Sequence, residues 1–328
     1  MELDHYFTLG RSGLRVSPFA LGAMTFGEEG GWGSSVAESE RVLQAYLDRG
    51  GNFIDTANFY TNGHSEKIVG DFLAARPGLR DRLVLASKFF GNMHPGDPNG
   101  GGAGRKAIVA QLEETLRRMQ TDHLDLYWLH NWDAHTPIEE TMRALDDLVT
   151  AGKIRYVGFS NTPAWVTAQA NTIATLRAWT PVIALQVEYS LLARTVEGEL
   201  IPLALDAGMG VMPWSPLAGG FLSGKYTREA AIDAASRGHI TGGPTDAQFE
   251  VIDALTGVAE EVDANLASLD VELSDAQVAT LGAVSAPQLD YPYDLNRTAG
   301  PMLQFAGTTL DGQGSVVYPP LLESATRY

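Results

Sequence analysis

A chain of 328 residues, 45% of them apolar, has the length and content of a packed α/β unit, and α/β barrels run this long as one domain. A net charge of −17 argues against nucleic acid and anionic membrane as partners, because both are polyanions. The absence of cysteine excludes disulfides, thiolate nucleophiles and cysteine-based zinc sites. Residues 1–13 carry neither a basic stretch nor an apolar core of a signal peptide, and no run approaches the ~18 apolar residues of a membrane span. The expected location is the cytoplasm.

Short apolar runs alternate with runs of helical spacing along the chain. Residues 7–9 and 14–16 flank Gly10 and Gly13 and predict a hairpin ahead of the main fold. Residues 19–22 read as the first strand. Val42, Leu43, Tyr46 and Leu47 give helical spacing over 39–48, and Gly50-Gly51 stops that helix. A strand at 52–55, a helix at 65–75 and a strand at 83–88 follow. The next helix, 105–119, carries Ile108, Leu112, Leu116 and Met119 on one face, and a strand at 124–130 comes after it. Helix 138–150 ends at Gly152, strand 154–159 follows, and Pro163 opens the next helix. A strand at 182–187, a helix at 200–207 and a strand at 211–214 complete the alternation. Seven strands separated by helices imply a parallel sheet. Residues 92–104 and 218–249 lack a period and read as long loops, the first at the mouth of the sheet.

Three successive strands end on chemistry. Asp55, Lys88 and His130 sit at or just past the carboxyl ends of their runs, and Tyr60 lies five residues after Asp55. Polar groups at consecutive strand ends are how a (β/α) barrel builds a catalytic face. Hydride reduction of a carbonyl needs a proton donor on the developing alkoxide. A free tyrosine, with a pKa of about 10, is a poor donor at neutral pH, but a nearby ammonium stabilises the phenolate. Lys88 can supply that ammonium, Asp55 can hold Lys88, and His130 can hydrogen-bond the carbonyl oxygen. General acid help of this kind is typically worth about 10²–10⁴ in rate.

Taken singly, each residue has a blander reading: a loop-capping Asp, a packed Tyr, a solvent-facing Lys, a core His. The joint arrangement is what points to chemistry. Residues 219–225 follow a P-loop pattern, but Tyr226 stands where a Ser or Thr would hold Mg²⁺, which rejects a nucleoside triphosphatase. The remaining histidines show no metal-ligand spacing, and no metal site is expected.

Three strings carry a family resemblance. Ile54-Asp55-Thr56-Ala57-Asn58-Phe59-Tyr60 with Gly63-His64-Ser65-Glu66 resembles the aldo-keto reductase signature. So does the run from Ala151-Gly152-Lys153 through Phe159-Ser160-Asn161. Pro213-Trp214-Ser215-Pro216-Leu217-Ala218-Gly219-Gly220 is similar to that family's pyrophosphate loop. The resemblance implies a (β/α)8 TIM barrel with NADPH or NADP+ extended across its carboxyl-end face. It implies Tyr60 as proton donor, Lys88 and Asp55 as its tuning pair and His130 as substrate orienter. Ser160, Asn161 and Gln186 would hold the nicotinamide carboxamide, and Trp214 would stack on the ring. Ser215, Leu217 and Gly219 would meet the pyrophosphate, and Asn265 the adenine. The substrate would be a small carbonyl compound or alcohol in a pocket walled by Phe26, Phe59, Phe89, Trp132 and the two long loops. The expected partners exclude nucleic acid and membrane and leave an oligomer open.

One departure stands out. Residues 253–261 read as the start of the seventh barrel helix and pass directly into 262–270, which resemble the end of the eighth. By comparison with the pattern of the family that the chain resembles, roughly 30 residues are absent at Glu261/Val262. A closed barrel tolerates such a gap badly, since it bares strand edges. Either the eighth unit is lost, or a segment within 218–249 or the tail after 286 fills the slot. The expected organisation is one barrel over 1–328, with 287–328 a carboxyl tail. The gap leaves NADH as an alternative cofactor. It also raises a second function: a barrel with an incomplete cofactor site that serves as a binding or regulatory subunit.

Overall fold

The computed structural model describes residues 3–31, 33–226, 228, 243–261, 272–290, 292–293, 307–310 and 312–317. Strands β1 (Phe7–Thr8) and β2 (Arg15–Val16) pair antiparallel as the expected hairpin. Seven strands then form one parallel sheet in chain order. They are β3 (Leu21–Gly22), β4 (Phe53–Asp55), β5 (Val84–Phe89), β6 (Leu124–Leu129), β7 (Ile154–Ser160), β8 (Val182–Glu188) and β9 (Gly210–Trp214). Helices α1 (Val36–Asp48), α2 (His64–Ala74), α3 (Arg105–Met119), α4 (Ile138–Thr150), α5 (Ala164–Arg177) and α6 (Leu200–Ala207) follow β3 to β8 in turn. After β9 come α7 (Asp246–Glu261), α8 (Asp275–Val284) and a short antiparallel pair, β10 (Thr309–Leu310) and β11 (Gln313–Gly314).

Side-chain alternation along the strands explains where the site falls. Phe53, Val84, Ala86, Leu126 and Trp128 cluster on the inner face with Leu9 and Val16, the residues that flank the hairpin. Ile54, Leu85, Phe89, Tyr127 and Leu129 face the helix layer instead. Both faces are therefore buried, which is why these strands read as continuous apolar runs. Continuing the inner alternation by two residues puts Asp55, Lys88 and His130 on the inner face at the carboxyl ends.

The sheet is strongly curled. The Gln186 side chain on β8 donates to Asp55 Oδ1 on β4 at 3.2 Å. On a flat sheet those strands, four spacings apart, would lie ~19 Å from each other. Among the described residues the curl does not close. Strand β3 pairs only with β4 and β9 only with β8, and no eighth strand joins them among the described residues. All residues of β4 and β5 are buried, whereas none of β9 is. The architecture is an incomplete (β/α) barrel with an amino-terminal hairpin, the fold class expected from the alternation and the gap.

Some boundaries differ from the sequence reading. Helix α1 begins at Val36 rather than 39, because Ser35 and Glu38 form a capping box ahead of it. Helix α7 begins at Asp246, inside the stretch expected to be loop, and residues 218–223 form a tight 3-10 turn. Helix α8, opened by a second capping box at Ser274 and Gln277, had no clear apolar period to announce it. Residues 262–270, including Asn265, lie outside the described residues.

Candidate active site

The structure brings together all four residues at the strand ends. Lys88 is fully buried, and its Nζ donates to Asp55 Oδ2 at 2.5 Å, to Thr56 O at 2.8 Å and to Tyr60 OH at 3.3 Å. Burial works against the Lys88 ammonium, but the charge of Asp55, together with Tyr60 and the hydrogen bonds to both, outweighs it and holds the group above its ordinary value. The His130 ring stands edge-on to Tyr60, centroids 5.7 Å apart, and tilted against Phe59 at 5.1 Å. Burial first, and then the Lys88 charge, lowers its pKa to about 3, so the imidazole is neutral near pH 7. Its Nδ1 is buried with no partner among the described residues.

The loop that carries Tyr60 is fixed by polar contacts. Asn58 N donates to Lys88 O at 3.1 Å, and the Asn58 amide donates to Gly91 O at 2.8 Å and Gln111 Oε1 at 3.0 Å. Thr61 Oγ1 donates to Phe26 O at 2.6 Å and accepts from Ser65 N at 3.0 Å. Thr61 and Asn62 are left-handed, with φ of 47° and 56°. Such residues cost ~1–3 kcal/mol each and persist only where neighbours over-determine them. Behind β5, Ser87 donates to the buried Glu66 carboxylate, which also accepts from Arg118 Nε at 2.6 Å. This second buried carboxylate steadies the strand from its outer face.

A cleft of about 1930 Å³ opens over these residues. It reaches Asp55, Tyr60 and His130, passes Ser160, Asn161 and Gln186, and continues along Trp214, Ser215 and Leu217 to Ile252 and Leu255 of α7. That volume exceeds the usual 300–1,000 Å³ of ligand pockets, because the cleft runs into the seam between β9 and β3. Ser160 Oγ is buried with no partner among the described residues. Asn161 donates to His130 O at 3.0 Å and accepts from Trp214 Nε1 at 3.2 Å, so both ends of its amide are engaged. Trp214 is 37% exposed beside it. Ser215, at φ 53°, accepts from Gly219 N at 3.0 Å, so the glycine turn is closed on itself. A Cβ on Gly220 would lie 3.2 Å from Lys225 Nζ, which sets a cation over this turn.

The wall residues divide. Phe59 lines the cleft, but Phe89 faces outward by strand alternation and packs on Tyr127 at 4.8 Å. Phe26, 3% exposed, and Trp132, packed toward the helix layer, do not line it either. Residues 92–104 do not line the cleft; they are tied through Gly102 to Phe90 and Gln111 and through Ala103 to Asp133, next to the carboxyl ends of β5 and β6. Sequence reasoning passed over Asn58, Thr61 and Gln111; Asn58 lies within the signature itself, and Gln111 reads as one more polar residue on a helix. Lys225 was weighed only as part of the rejected P-loop pattern.

The description of the aldo/keto reductase family matches residues 18–271. The chain belongs to the aldo/keto reductase family. It is 38% identical over 273 residues to a putative aryl-alcohol dehydrogenase of Saccharomyces cerevisiae, covering 79% of this chain and 72% of that one. It is 34% identical over 275 residues to an aryl-alcohol dehydrogenase [NADP(+)] of Phanerodontia chrysosporium, covering 77% and 70%. With norsolorinic acid reductase B of Dothistroma septosporum the identity is 33% over 349 residues, covering 94% of this chain and 86% of the relative. That alignment is longer than the 328 residues of this chain, so the relative carries segments this aldo/keto reductase lacks. The protein is an oxidoreductase of this family, and no helix among its described residues is long and apolar enough to cross a membrane.

Proposed function

We propose that this aldo/keto reductase interconverts a carbonyl and an alcohol with NADP(H), and that Tyr60 exchanges the proton. The observation that carries the reading is the Tyr60 hydroxyl 3.3 Å from a buried Lys88 ammonium that Asp55 holds in place. When bound, NADP(H) supplies or accepts the hydride. The residues present fit it: the Ser160 hydroxyl, buried with no partner among the described residues, and a partly exposed Trp214 line one cleft with Ser215 and Leu217, and the glycine turn that follows carries Lys225 over it. Ser160, Asn161 and Gln186 would hold the carboxamide, Asn161 by exchanging one of its present bonds. Ser215, Leu217, Gly219 and Lys225 would meet the phosphates.

In the reductive direction Tyr60 gives its proton to the carbonyl oxygen as that oxygen becomes a hydroxyl. The negative charge left on Tyr60 faces Lys88, whose own charge Asp55 retains. His130, neutral, offers a hydrogen bond to the same oxygen without competing as an acid. The named activities of the relatives, together with Phe59 and Trp214 on the cleft, favour aromatic aldehydes and the matching alcohols as substrates. The name of the Phanerodontia relative favours NADP(H) over NADH.

Tyr60→Phe tests the proposal. Turnover of an aromatic aldehyde with NADPH should vanish while NADPH still quenches tryptophan fluorescence; retained turnover would sink the proton-donor role. A second reading, a non-catalytic barrel acting as a binding or regulatory subunit, is favoured only by the open seam. A folded protein that binds neither NADPH nor NADH would support it.

A further inference from the structure

Gln111 lies on α3, outside the cleft, and is 5% exposed. Its side chain joins three segments. Gln111 Oε1 accepts from Phe90 N at 2.8 Å and from Asn58 Nδ2 at 3.0 Å, and Gln111 Nε2 donates to Gly102 O at 3.2 Å. Phe90 follows β5, two residues after Lys88. Its φ of 124° is a region that L residues rarely adopt. Phe90 O also accepts from Gly102 N at 2.8 Å, so both polar groups of this strained residue are held. Asn58 lies two residues before Tyr60, and its backbone N–H is bonded to Lys88 O. Strain of this kind persists only where the surroundings enforce it, and it clusters where geometry matters.

We infer that Gln111 is a positioning residue for the hydride-transfer reaction. One amide oxygen ties the end of the Lys88 strand to the loop of Tyr60 and so sets the separation of ammonium and phenol. The phenyl group of Phe59 follows from the same tie: Asn58 grips Gly91 O, and a Cβ on Gly91 would collide with the Phe59 ring. Gln111 touches neither substrate nor cofactor. It acts through Asn58 and Phe90.

This inference rests on the proposed reaction, so its test carries a readout besides turnover. Gln111→Met keeps length and removes all three bonds. Gln111→Glu keeps the accepting oxygen and removes only the bond to Gly102. With both variants folded by circular dichroism, Q111M should lose at least tenfold in kcat for an aromatic aldehyde, with little change in KM for NADPH, since displacements of an ångström cost up to about 10²-fold. Q111E should recover most of that loss. In an ultraviolet titration, the tyrosinate step that disappears in Y60F should move to higher pH in Q111M. If Q111M does not fold, Asn58→Ala cuts the same tie from the loop and should show the same two changes. A Q111M or N58A protein with parental kcat and an unmoved tyrosinate step would overturn the inference. A parent that reduces no aldehyde would overturn the proposed reaction, while the tyrosinate titration would still decide the role of Gln111.

Discussion

Strands β4 to β6 and the edge strands β3 and β9 come from similar apolar runs, yet they end in different states. The former are paired on both sides, their inner residues are buried, and they carry Asp55, Lys88 and His130. The latter each lack a neighbour among the described residues; Phe19 ahead of β3 is 49% exposed, and Trp214 at the end of β9 is 37% exposed. The four candidate catalytic residues come together on three neighbouring strands and the loop after β4, with no closed ring among the described residues. Among the described residues the open seam leaves their geometry in place and falls on the side of β9 and α7. The comparison can be broken by showing that both regions unfold as one, and sharpened by showing that they do not.

The largest effect should come from Lys88→Met. This removes the ammonium and leaves the Asp55 carboxylate, 6% exposed, with the hydrogen bond from Gln186. Breaking a buried pair in this way costs about 3–5 kcal/mol, because the remaining charge is uncompensated. Denaturant midpoints should fall accordingly, and the double variant K88M/D55N should recover a large part. A single variant that loses under ~1 kcal/mol would mean that water reaches Asp55 and that the site is open on this side too.

Core truncations compare the two regions directly. Leu126, fully buried in the inner cluster, should cost about 2–5 kcal/mol when changed to alanine. Ile252 on α7, 4% exposed, belongs to a smaller cluster with Phe221, Leu222 and Tyr226 beside the seam. If that cluster opens on its own, Ile252→Ala should leave the main unfolding transition unmoved and only speed amide exchange in α7. An equal drop in the main transition for both variants would make the molecule one cooperative unit.

The legible part of the sequence was the part governed by period two and by strand ends. Asp55, Lys88 and His130 were found because each terminates a buried run, and alternation then places them on one face. Tyr60 was found from its distance to Asp55. The same alternation, applied to Phe89, sends it outward, although aromatic character alone suggested a pocket wall. Gln111 was not legible, because a buried amide on a helix has no pattern; only the close approach of Phe90, Asn58 and Gly102 gives it meaning. The start of α7 was hidden by the polar opening Asp246-Ala247-Gln248, and α8 by the even spread of its apolar residues around the helix. The departure at Glu261/Val262 came from comparison with the family pattern, but the unpaired edges of β3 and β9 among the described residues required the fold.

His130 supplies a pH-dependent test confined to the intact side. Its value of about 3, set by burial and then by the Lys88 charge, lies below the ordinary 6.5. Between those values the unfolded chain binds a proton that the native protein refuses. The stability at stake is full above about pH 6.5 and falls as pH drops, by about 1.4 kcal/mol per unit. At pH 5 the deficit should be about 2 kcal/mol, and His130→Gln should remove that part of the slope. A parental slope in the variant would assign the acid sensitivity to other groups.

The smallest effect discriminates best, because the same chemistry occurs once in a helix packed on the strand–helix core and once in a helix packed on α7. Ser35 caps α1 and Ser274 caps α8, each in a capping box, with Glu38 and Gln277 as the reciprocal partners. Helix α1 follows β3 and packs Leu43 and Tyr46 into the strand–helix core, and the Tyr46 hydroxyl donates to Phe19 O at 2.7 Å. Helix α8 packs instead against α7, and Arg194, after β8, donates to Gly282 O at 3.2 Å and Ser285 Oγ at 2.7 Å at its carboxyl end. Replacing such a cap by alanine costs typically ~1 kcal/mol. If the intact side unfolds as one unit, Ser35→Ala should lower the main transition by that amount. Ser274→Ala should then leave the main transition in place and raise only the exchange rates of the first α8 amides, a difference that urea titration and hydrogen exchange on the same samples would resolve. Two equal shifts would instead mean that α8 is locked to the intact side across the seam, and that the broken edge is bridged by the carboxyl part of the chain.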